Sequence, residues 1–280
     1  MLQRLERFLQ VEGPLRKEGE DKESLIFGED AKGYEEPFEP FADLCKRRFL
    51  WYYQTYLQSI EDARKEHGSA VKDGEKFKSM PFEGSSNGME GKFDYTKITE
   101  RLEAVRKAID DETARWERAG KRALDRESPT ALAFQNTFKH LVADYKRDNI
   151  PVDFELVDNN PFTWRLVLFG RPMTNLDGAI LKVKVVFSQD FPQEQPRAIV
   201  ETPLFHQRVT TDGVLCYFPK KPAEINSHIE GIVEAIEQES PRYDPRTLVN
   251  LEASKLLWGD DASKKIYNRK LRRSAQESSE

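Results

Sequence analysis

Four short runs of strand-forming residues, 152–157, 162–169, 179–187 and 198–201, follow one another with no space for a helix between them. A parallel neighbour needs a crossover of about a dozen residues or more, so these runs can only build an antiparallel meander. Asp177-Gly178 supplies a hairpin signal between the second and third runs. Helical patterns bracket the meander. Before it, Ser128-Pro129 offers an N-cap with proline at the first helical position, and Phe134, Phe138, Leu141, Val142 and Tyr145 share one helical face. After it, helices are expected over 224–239, from Asp244-Pro245 to Leu257, and from Asp260 towards Arg273. The second half is therefore α+β: one helix, four antiparallel strands, three helices.

The first half has a different texture. Residues 1–40 are polar, with glycines scattered among charges, and are expected to be partly unstructured or draped over something else. From Asp43, the residues Phe49, Tyr53, Tyr56 and Ile60 recur at helical spacing, and the helix should end near Gly68. Glycines at 68, 74, 84, 88 and 91 mark 68–94 as a linker. A long helix follows to about Leu124, with Ile98, Leu102, Val105 and Ile109 on one seam and Trp116 rejoining it. The two helices can pair with each other, or either can lie on the second domain. The tyrosine-rich face of 49–57 exceeds what a two-helix hairpin needs, which leaves room for a partner. The division expected is an N-terminal helical extension over 1–127 and a second domain over 128–280.

Composition narrows the function. With 44 basic and 49 acidic side chains the chain carries −5 at neutral pH, a poor balance for gripping nucleic acid by charge. No apolar run approaches a membrane span of about 20 residues. Two cysteines, Cys45 and Cys216, cannot make a disulfide framework or a cysteine-rich metal site, and they suit the cytoplasm or nucleus, where a special thiol would be catalytic. The turn Thr210-Thr211-Asp212-Gly213 leads into Val214-Leu215 and leaves Cys216 at the end of a short extended piece, expected to be an exposed thiol facing a loop.

Residues 128–273 resemble the ubiquitin-conjugating enzymes. The resemblance is carried by NPFTWRLVLFG (160–170), LDGAILKVKVVFSQDFP (176–192), Pro196, and NLEASKLLW (250–258). Its specific part is LFHQRVTTDGVLCYF, in which His206 precedes Cys216 by ten residues with Gly213 between them. The resemblance implies the ubiquitin-conjugating fold, preceded here by the helical region. It implies a transferase that carries ubiquitin or a ubiquitin-like protein as a thioester on Cys216 and passes it to a lysine or a ligase cysteine, without metal or cofactor. His206 would support the structure around the cysteine. Arg208 stands where the family keeps its oxyanion asparagine, and Asp244 where it keeps a residue that orients the incoming lysine, although Asp before Pro245 is equally a helix cap. Phe191, Pro192, Gln193, Pro222 and Ala223 fall at the ligase-docking positions, with Gln193 replacing an apolar residue. Lys139, Lys146 and Arg147 would dock the activating enzyme. The N-terminal helices are candidates for recruiting a ligase or substrate. The loop from Cys216 to Pro222 is shorter than the family's. An uncharged scaffold that binds ubiquitin or a partner is the other reading.

Overall fold

The computed structural model describes residues 2–9, 11, 41–66 and 93–278. Seven α-helices and four strands lie among them: α1 (Leu2–Phe8), α2 (Ala42–Glu66), α3 (Tyr95–Asp125), α4 (Pro129–Arg147), β1 (Val152–Leu156), β2 (Thr163–Phe169), β3 (Ile180–Val186), β4 (Arg197–Val200), α5 (Ile225–Glu237), α6 (Leu251–Leu257) and α7 (Asp261–Glu277). The sheet is the antiparallel meander expected, in the order β1-β2-β3-β4. Alternation decides its faces. Trp164, Leu166, Leu168, Leu181, Val183, Val185, Ala198 and Val200 point into the core beside Phe134, Leu141 and Tyr145 of α4 and Ile229, Ile232 and Ile236 of α5. Ser128 caps α4 as its sequence predicts, its Oγ accepting the Ala131 N–H at 3.2 Å.

One expected helix needs correction, and two other segments gain detail. The β2–β3 hairpin forms around a long loop: the Gly170 and Ala179 backbones pair across it, and the Asp177 carboxylate accepts the Met173 N–H. A single helix from Pro245 to Leu257 does not form, because Asn250 interrupts it as a new N-cap and leaves only a short 3₁₀ turn, Pro245–Thr247, ahead of α6. Within the first forty residues, Leu2–Phe8 is helical with Leu5 buried. The linker expected over 68–94 lies outside the described residues, save Phe93 and Asp94.

The chain forms two compact units, one of Met1–Arg48 and Leu57–Ile109, the other of Phe49–Tyr56 and Asp110–Glu280. In the first, Arg101 makes a two-pronged ion pair with Glu6, both bonds 2.7 Å, and Leu102, Val105 and Ile109 are buried. The second unit thus takes in more than 128–280: it adds the middle of α2 and the end of α3. There α3 runs along the sheet's outer face. Arg197 of β4, buried, stacks 4.8 Å from the Trp116 ring, and Lys184 of β3 pairs with Glu117 at 2.6 Å. Asn160 donates to the Glu117 carbonyl at 2.9 Å, and a side chain at Gly120 would meet Asn160 Oδ1 at 2.6 Å and Phe162 at 2.9 Å. Glycine there lets helix and loop touch. Gly120→Leu should cost about 1–3 kcal/mol by overpacking, outweighing the helix propensity it gains, and a fall in the urea midpoint at unchanged m-value would register it.

Candidate active site

The segment after β4 is folded back on itself by a short ladder. Leu215 donates to the Ala198 carbonyl at 3.0 Å and Val200 to the Gly213 carbonyl at 2.8 Å, so the segment extends the sheet beyond β4. Gly213 closes the predicted turn onto the Thr210 carbonyl at φ +86°, and a Cβ there would sit 2.6 Å from the Val200 carbonyl, so glycine is required on both counts. Cys216 then donates its N–H to the Arg208 carbonyl at 2.8 Å. The opposite strand is anchored by Asn250, whose side chain donates to the Val209 carbonyl at 3.1 Å, and by the Trp258 indole, which reaches the Gln207 side chain at 3.2 Å.

His206 is buried, and its Nδ1 accepts the Arg208 N–H at 3.1 Å. An accepting Nδ1 places the ring proton on Nε2 in the neutral imidazole. Burial, and secondarily the Arg208 charge, push the ring down to about 4. The Arg208 Nε is itself buried and has no hydrogen-bond partner among the described residues. On the far side of the cysteine the short loop is stapled to α5. His228 Nε2 donates to the Pro222 carbonyl at 2.9 Å, which leaves Nδ1 to accept the Tyr217 hydroxyl at 3.0 Å.

The thiol itself overturns one expectation, because Cys216 is wholly buried. Its Sγ lies 3.6 Å from the Arg246 carbonyl, and that carbonyl also accepts the Tyr52 hydroxyl at 2.8 Å. Trp51 donates its indole N–H to the Leu215 carbonyl at 3.0 Å and meets the Phe218 ring edge-on at 5.4 Å. The Arg246 guanidinium lies 5.3 Å from the other partner of that contact, Phe218. Two residues of α2 and the turn around Arg246 therefore surround the thiol's end of the ladder.

Asp244 is at this site but engaged. Its carboxylate caps the Arg246 N–H at 2.9 Å and pairs with the Arg246 guanidinium at 2.8 Å, contacts that hold it below the usual aspartate range. A carboxylate held ionised is a weak proton acceptor at neutral pH. Of the docking candidates, Pro192, Gln193, Pro222 and Ala223 are exposed, and the Gln195 side chain joins their loops by donating to the carbonyls of both Pro192 and Pro222. Phe191 is turned inward instead, with Phe134, Phe187 and His228 around its ring. Lys139, Lys146 and Arg147 are exposed on α4, away from the thiol loop in sequence, and Arg147 is paired with Asp144 and Asp148. Among the described residues no group of three or more His, Cys, Asp or Glu could hold a metal ion, and no helix is long and apolar enough to cross a membrane.

Comparison with known proteins agrees with this geometry. Residues 136–227, which hold His206, Arg208 and Cys216, match the family model described as ubiquitin-conjugating enzyme. This stretch of the chain is therefore similar to the ubiquitin-conjugating enzymes. It is 27% identical over 139 residues to the Arabidopsis thaliana protein named ubiquitin-conjugating enzyme E2 3, a match covering 48% of this chain and 90% of that one. A shorter match, 35% identical over 57 residues, covers 20% of this chain and 34% of the Caenorhabditis elegans SUMO-conjugating enzyme UBC9. Among solved structures, the E2 domain of a Toxoplasma gondii ubiquitin conjugating enzyme is similar at TM-score 0.42 and 17% identity, over 51% of this chain and 97% of that one.

Trp51, Tyr52, Phe218 and Arg246 were not legible as site residues; the one sign was the surplus of aromatic surface on the 49–57 face. The histidine has a consequence for stability. Below about pH 6.5 the unfolded chain protonates His206 while the folded chain does not, until the pH approaches 4. Stability from this group is fully present above pH 6.5 and is lost as the pH falls to 4, a difference of about 3 kcal/mol. His206→Gln should flatten that part of the curve, and urea unfolding of both forms at several pH values between 4 and 7 measures it.

Proposed function

We propose that the chain carries ubiquitin or a ubiquitin-like protein as a thioester on Cys216. The observation that supports this best is the placing of Cys216 at the end of a ladder pinned by a neutral, buried His206 within the family-matched residues. The Cys216 thiolate attacks the carbonyl carbon of the modifier held by an activating enzyme, a new C–S bond forms, and the activating enzyme's sulfur leaves as thiolate. One thioester replaces another, so little driving force is needed and no metal or nucleotide takes part in this step. The second transfer, to a lysine amine or a ligase cysteine, passes through an anionic tetrahedral carbon that needs a donor. Arg208 is the candidate, its buried Nε lacking a hydrogen-bond partner among the described residues. Asp244 would orient a lysine by charge rather than take its proton, and only in competition with Arg246. His206 supports the fold of the site.

Pro192, Gln193, Pro222 and Ala223 form the surface proposed for a ligase, and Lys139, Lys146 and Arg147 the one proposed for the activating enzyme, with cytoplasm or nucleus as the setting. Ligase or substrate recruitment by the N-terminal helices belongs to the same reading. The buried thiol is the specific observation in favour of a second reading, an uncharged scaffold that binds a modifier or partner.

Charging separates the two. Full-length protein incubated with ubiquitin or SUMO, the matching activating enzyme and ATP should give an adduct that reductant removes and that Cys216→Ala lacks. Cys216→Ser should give a reductant-resistant ester instead. No adduct with either modifier, from protein that is folded by circular dichroism, would turn the assignment to the scaffold.

A further inference from the structure

We propose that the Phe49–Tyr56 stretch of α2 is a built-in cover that closes the Cys216 thiol and must lift before any reagent reaches it. Thioester exchange needs Sγ to approach a carbonyl carbon that trails the rest of another protein, and a wholly buried sulfur offers no such path. The occluding groups come from outside the catalytic ladder. Trp51 holds the Leu215 carbonyl, the residue before the thiol, and lies edge-on to Phe218, two residues beyond it. Tyr52 holds the Arg246 carbonyl, the same oxygen that faces Sγ. The cover therefore spans the cysteine from both chain directions and shares an acceptor with it.

Its chemistry suits a reversible contact. The Trp51 and Tyr52 hydrogen bonds end on main-chain carbonyls that water can satisfy once this stretch of α2 withdraws. Phe218, 40% exposed even under the cover, is an incomplete seat for the indole. Asp244 and Arg246 pair with each other rather than with α2, so the rim keeps its ion pair in either state.

The consequence for charging rests on the carrier role of Cys216; the cover itself does not, and the two are tested separately. Alkylation by iodoacetamide, followed by the mass of the Cys216 peptide, needs no activating enzyme and reads this thiol apart from Cys45. In the full chain Cys216 should react at least about tenfold more slowly than in the urea-unfolded chain. Tyr52→Phe, which removes the hydrogen bond to the Arg246 carbonyl, should speed the reaction by about 2–10-fold, and Trp51→Ala by more. Should Trp51→Ala fail to fold, Tyr52→Phe alone decides. A native thiol that alkylates as fast as the unfolded one, or a folded variant with an unchanged rate, overturns the cover. Faster alkylation with faster charging supports both cover and carrier, whereas faster alkylation with no charging of any form upholds the cover and removes the carrier.

Discussion

The N–H of Cys216 donates to the Arg208 carbonyl, and the placing of the thiol relative to His206 follows from that short antiparallel pairing. It sets the thiol at the end of a ladder that continues the meander past β4, and it brings His206, ten residues earlier, onto the opposite side. Such a pairing of a few residues would not persist alone. It persists because β4 supplies the Ala198 carbonyl and the Val200 N–H on one side and Asn250, at the start of α6, supplies donors on the other. Asn250 also explains why the helix after Pro245 breaks: the side chain that caps α6 is the one that ties α6 to the ladder.

The site's electrostatics are built around neutrality. His206 and His228 are buried and each holds a neighbouring segment through one accepting nitrogen, a role the charged imidazolium cannot fill. The charged pair, Asp244 with Arg246, sits at the rim, where a carboxylate and guanidinium keep much of their hydration and the pairing is worth little stability. Arg208 is the exception, a guanidinium with its Nε sunk into the site and no hydrogen-bond partner there. An unpaired buried donor is costly.

Local order made most of the fold readable. The four strands lie within about two residues of where alternation placed them, because an antiparallel meander pairs residues that are close in sequence and its pattern is written along one stretch of chain. Ser128-Pro129 capped α4, and Gly213 turned the ladder, because both act on their own backbone neighbours. The Asp177-Gly178 signal marked the β2–β3 hairpin but not its length, because a turn dipeptide says nothing about how many residues the loop around it holds, and that loop closes on Gly170. The exposed thiol was wrong, since no local pattern near Cys216 refers to Trp51.

By itself, the sequence determined the order of elements, the faces of the sheet, the turn that aims the cysteine and the spacing from His206 to Cys216 that carries the resemblance. These rest on hydrogen bonds and burial among residues near one another along the chain. Only the tertiary structure decided that Trp51 and Tyr52, more than 160 residues before their partners, lie over the thiol, and that Arg246 holds Asp244. Contacts across such separations depend on the packing of whole helices, where an indole can seat against any of several apolar surfaces. Periodicity records that α2 has a face to bury, but not the surface that buries it.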